Sequence, residues 1–159
     1  MFQKILLSTR YVILIAVLGS FLASLASLVY GGLKSVLVVV DLLQHGLSDQ
    51  ATKGVAVSFI ELIDLFLIGT VFYIIALGLY ELFIDDTIAA LPAWLVIHSL
   101  EDLEAKLISG VVVIMVVYFL GLLVESKGET DLLQPGLSIA LVISALTFFQ
   151  FLHARKKHE

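Results

Sequence analysis

The chain has 159 residues, of which 60% are hydrophobic and 14% charged, with a mean hydropathy of +1.10 and a formal net charge of −5. Soluble domains carry about 25% charged residues, and a chain this short cannot hide so much apolar surface in a core of its own. The composition therefore excludes an ordinary soluble domain. The sparse, scattered basic residues argue against a nucleic-acid partner, and the absence of cysteine excludes disulfides and thiolate metal sites.

Four segments reach the roughly 20 apolar residues that a membrane helix needs. The first runs from Tyr11 to Leu33 without a charge. Lys4 and Arg10 precede it, and "SLAS" (Ser24–Ser27) has the small residues of a cleavage site. A signal peptide is the alternative, but its apolar region spans only about 7–15 residues, so a retained helix is expected. After Lys34 comes "SVLVVVDLLQHG", apolar on nearly every helical face and closed by Gly46, a residue suited to the position after a helix end. Helix 1 is thus predicted to continue to His45, roughly 18 Å past Lys34. Either that apolar extension is buried against another subunit, or it lies as a loop in the headgroups.

The second span, Phe59–Phe83, carries Glu61 and Asp64 in its first turns. The connection after it includes "LPAWLVIHSLEDLEAK" (Leu91–Lys106), which places Trp94 at interfacial depth. Ser99 and Asp102 resemble a capping box, and Glu101, Asp102 and Glu104 suit the positive end of a helix starting near Ser99. The third span is Leu107–Val124, followed by the short polar "ESKGETD" (Glu125–Asp131). The fourth is Leu132–Leu152, with Pro135 in its first turn, where proline is tolerated. The expected fold is all-α, one membrane domain over 1–159: helices near 2–45, 48–84, 99–125 and 132–154, with an interfacial segment over 87–98. Four crossings put both termini on one side. Lys4, Arg10, Lys106, Arg155, Lys156 and Lys157 outnumber Lys34, Lys53 and Lys127, which places the termini in the cytoplasm.

The carboxylates of the second span raise the functional question. With helices 1 and 2 as a tight hairpin bent near Gly46 and Leu47, Lys34 lies level with Phe59, Glu61 with Gly32 and Asp64 with Val29. Glu61 is then roughly 3 Å, and Asp64 roughly 7–8 Å, below the Lys34 level. Ionisable groups at such depth usually face a cavity or a partner. Asp64 either lines a water-filled path for ions, or pairs with Lys34, whose long stem can snorkel; pairing is the preferred reading for Glu61. Ser20, Ser24, Ser27 and Gly31 share one face of helix 1. That stripe suits a hydrated crevice with Ser24 and Ser27 beside Asp64. It also suits close packing of helices, the commoner use of small residues, and Gly69, Gly78, Gly110 and Gly121 read the same way. At the other end of helix 2, Tyr80 is expected to be an interface anchor like Trp94, and the acidic Glu81, Asp85 and Asp86 oppose the helix dipole. Arg10 and Lys106 are at about that level and are expected to pair with them; a ring of acids at a pore mouth is the alternative.

His45, His98, His153 and His158 are dispersed without metal-ligand spacing. No catalytic motif is found, so no enzyme, metal or cofactor is expected. The partners implied are the lipid bilayer, further copies of the chain and small ions.

Several short motifs in order have a further meaning: "IDLFLIG" (Ile63–Gly69), "YELF" (Tyr80–Phe83), "AWL" (Ala93–Leu95), "LEAK" (Leu103–Lys106), Lys34 after helix 1, and a basic, histidine-containing tail. Together they make the chain resemble the YqhA-like family of small uncharacterised bacterial membrane proteins. The resemblance implies a multi-pass protein of the cell (inner) membrane. It marks Asp64, Tyr80, Glu81, Trp94 and Lys106 as part of the family pattern and brings no reaction, substrate or cofactor. The functional expectation is an oligomeric channel or transporter-like pore for cations or protons, with Asp64 near one mouth and Glu81 near the other. A non-conducting structural or partner-binding membrane protein is the alternative.

Overall fold

A backbone surrounded by hydrocarbon can satisfy its amides and carbonyls only within a helix or a closed barrel. The computed structural model, which describes residues 2–45, 49–84, 97–126 and 132–156, takes the first solution throughout. Its elements are α1 (Phe2–His45), α2 (Asp49–Phe83), α3 (Leu100–Glu125) and α4 (Leu133–Lys156). All four are long and apolar enough to span a membrane, with spans at Tyr11–Gln44, Gly54–Phe83, Leu100–Val124 and Leu133–His153. Apolar residues ring each helix instead of lining one side, as suits a helix with no aqueous face.

The helix ends follow local chemistry. The Ser99 hydroxyl accepts the Asp102 amide at 3.1 Å, and its carbonyl accepts the Leu103 amide, also at 3.1 Å. Ser99 is therefore the residue that caps α3. Pro135 lies in the first turn of α4, where no amide is missed. The next amide, Gly136, donates to the Leu132 carbonyl at 3.0 Å. Hydroxyls within the helices turn back on their own backbone: Thr70 donates to the Phe66 carbonyl at 2.7 Å, Ser144 to Ala140 at 2.7 Å and Thr147 to Ile143 at 2.8 Å. Each such bond lets a polar side chain face lipid without an idle donor.

The chain divides into two compact units. One comprises Met1–Gly31 and Leu65–Leu107. Its core holds Val17, Ser24, Ala76, Ile97 and Leu103. Small residues bring its helices together: a Cβ on Gly69 would stand 2.9 Å from Leu28 Cγ and 3.3 Å from Ser27 Cβ. A Cβ on Gly78 would stand 2.5 Å from Leu103 Cδ1 and 2.9 Å from Ile97 Cδ1. Any larger residue at either place must push its neighbours aside.

The other unit comprises Gly32–Asp64 and Ile108–Glu159. Leu62 is its buried apolar residue, Gly121 faces Ile60, and Gly136 faces the Phe119 ring. Much of α4 is uncovered, including Leu137, Leu141, Phe148 and Phe151, and so is the α1 extension at Val36, Leu37 and Leu43. Uncovered apolar surface on this scale is what a bilayer or a second protein surface covers.

Candidate functional site

Val57, Ile60, Glu61 and Asp64 recur at the spacing of one helical face on α2. Val117, Tyr118, Gly121 and Leu122 do the same on α3. Together they line a partly open cleft of about 220 Å³. Gly121 keeps its wall thin, since a Cβ there would already reach Ile60 Cγ2 at 3.4 Å. The walls are mostly apolar, and Glu61, Asp64 and Tyr118 are the lining residues whose side chains carry polar atoms.

The two carboxylates of this cleft are held in different ways. Glu61 Oε2 forms an ion pair with Lys34 Nζ, the Lys34 side chain being 29% exposed and that of Glu61 53%. Asp64 Oδ1 is buried and has no hydrogen-bond partner among the described residues. Buried polar atoms in folded proteins are nearly always hydrogen-bonded, and withdrawing a charged oxygen from water without a donor or counter-ion is strongly unfavourable. Asp64 thus combines an oxygen that no described residue satisfies with a place in the lining of the cleft. Among the described residues no group of three or more His, Asp or Glu side chains converges as a metal site.

The other candidates occupy the first unit. Ser24 is 2% exposed, and Ser27 packs against Gly69, a contact in which a small residue admits a neighbouring helix. Glu81 Oε2 accepts the amide of Ile97 at 2.9 Å. Ile97 is 1% exposed, so this carboxylate satisfies a buried donor sixteen residues away in the chain. Tyr80 is half-buried, and its carbonyl accepts the Ile84 amide at 2.9 Å at the end of α2. Lys106 is half-buried and engaged in a polar interaction. The Arg10 side chain, Trp94, Asp85 and Asp86 lie outside the described residues.

The structure therefore brings together Lys34, Glu61 and Asp64 around one stretch of α2, and Glu81 with Ile97 at another. It adds Tyr118 and Gly121, which reading helices 1 and 2 as a hairpin did not place beside the acids. The signal for them was present: a tyrosine inside a span, three residues before a glycine on the same face.

No curated protein and no solved structure matches the chain. Residues 6–123 match the model of an uncharacterized protein family, UPF0114, and this match is in keeping with the YqhA-like motifs. With well over half of its length in that match and four helices able to span a membrane, the chain belongs to the UPF0114 family.

Proposed function

We propose that this chain is a multi-pass protein of the cell membrane that conducts or transports cations or protons as a homo-oligomer, with Asp64 as the group that meets the ion. One observation carries the reading: the buried Asp64 Oδ1 lacks a hydrogen-bond partner among the described residues and belongs to a residue lining a cleft. Acids within membrane spans mark ion pathways or ion pairs, and Lys34 meets the neighbouring Glu61. The uncovered apolar faces of α4 and of α1 beyond Lys34 supply surface for self-association. Glu81 belongs to the opposite end of α2, and both termini face the cytoplasm in this scheme.

The test is flux of protons and monovalent cations into proteoliposomes. Wild-type protein should raise flux above empty liposomes, and Asp64→Asn should abolish the increase while leaving the amount of inserted protein unchanged. Equal flux from empty and wild-type vesicles discards the proposal.

A second reading has its own support. Glu61 and Glu81 are both satisfied internally, by Lys34 and by the Ile97 amide. A structural or partner-binding membrane protein that conducts nothing would use its charges in this way. Loss of the Lys34–Glu61 pair would then alter stability and leave transport assays silent.

A further inference from the structure

The cleft has a chemistry more specific than "cation". Its walls are Val57, Ile60, Val117 and Leu122, with Glu61, Asp64 and Tyr118 as polar members. Glu61 already has Lys34 as counter-charge, whereas Asp64 carries an oxygen with no hydrogen-bond partner among the described residues, so Asp64 is the carboxylate of the cleft on which a ligand would act. A hard divalent cation is a poor occupant. Calcium takes about 6–8 oxygen ligands, and the lining side chains supply oxygens only from Glu61, Asp64 and Tyr118. Water would meet few partners on the same walls. A protonated amine fits these features: its charge complements the Asp64 carboxylate, to which an N–H can donate, and its hydrocarbon body covers the aliphatic walls. The Tyr118 ring adds an aromatic face of the kind that attracts ammonium groups. The volume of about 220 Å³ falls below the roughly 300–1,000 Å³ of pockets that enclose drug-sized ligands, so the occupant is small.

We propose that the cleft formed by Val57, Ile60, Asp64, Val117, Tyr118 and Gly121 binds a small organic ammonium ion, a protonated amine on a compact apolar body, with Asp64 as its counter-ion. This rests on the reading that Asp64 meets a cation and narrows the class of that cation.

The experiment is equilibrium dialysis of labelled benzylammonium against the full-length protein in lipid nanodiscs, with empty nanodiscs as the partition blank and benzyl alcohol as the uncharged comparator. Wild-type protein should bind benzylammonium saturably and benzyl alcohol only at the blank level. Asp64→Asn should weaken binding about tenfold or more, the scale of one hydrogen bond to a charged group. Gly121→Leu, which fills the cleft while keeping the Asp64 carboxylate, should abolish saturation. Tyr118→Leu, at an exposed ring, should weaken binding a few-fold. If Asp64→Asn fails to insert, the Gly121 and Tyr118 variants decide the matter. Absence of saturable wild-type binding, or binding undiminished in Gly121→Leu, overturns the proposal. The flux assay separates the two readings. Inorganic-ion flux without benzylammonium binding removes this inference and keeps the transport proposal, whereas binding without any flux does the reverse.

Discussion

Near Tyr80, α2 presents a carboxylate put to structural use: Glu81 Oε2 accepts the amide of Ile97, a residue with almost no exposure. Near Phe59, the same helix presents two carboxylates three residues apart, one matched by Lys34 and one whose buried oxygen has no partner among the described residues. The difference separates an acid that holds the fold together from an acid that leaves an interaction open. A satisfied buried acceptor contributes stability and resists replacement. An unsatisfied one lowers stability, and such sites persist where function requires them.

The strongest way to break this comparison is at Glu81. Glu81→Ala removes the acceptor and strands a buried amide, which should lower stability by about 1–3 kcal/mol. A clear drop in the thermal unfolding midpoint in detergent reads this, and Glu81→Gln, which keeps an acceptor, should recover much of it. An unchanged midpoint for Glu81→Ala would remove the structural role assigned to this end of the helix.

A smaller effect is expected at the ion pair. Lys34 and Glu61 are both partly exposed, and such pairs contribute only about 0.2–1 kcal/mol. A double-mutant cycle with Lys34→Met and Glu61→Gln should show coupling of that size. Strictly additive losses would mean that the pair contributes nothing.

The smallest change in stability is expected at Asp64. Asp64→Asn changes a carboxylate with an oxygen that has no hydrogen-bond partner among the described residues, so the midpoint should stay level or rise slightly, while any flux is lost and amine binding weakens. A fall as large as that of Glu81→Ala would show that Asp64 is as structural as its distal counterpart and would erase the contrast between the two stretches of α2.

Much of the fold was legible because its signals are local. Uninterrupted apolar runs announced four helices, and α1 does continue past Lys34 to His45. Ser99 carried its capping role in its own side chain. The site was legible only in part, because it depends on which helices become neighbours. Aligning helices 1 and 2 put Lys34 close to the level of Glu61, but nothing in that alignment could bring Tyr118 and Gly121 to the same cleft. The bond from the Ile97 amide to Glu81 was equally hidden, since it joins a backbone group to a side chain sixteen positions earlier. Periodicity reports what a residue is for its own helix, and says little about a single amide arriving from elsewhere.

The length of α1 has a consequence for the lipid itself. Its candidate span covers 34 residues, about 51 Å of rod, against a hydrocarbon layer of about 30 Å. Leaning over would have to reach about 54° to fit it all, beyond the roughly 40° limit of observed tilts. At that limit about 12 Å of greasy rod still stands clear of the acyl chains. Thicker bilayers should therefore suit this protein better than thin ones, making acyl-chain length a variable that tunes how much of α1 seeks other company.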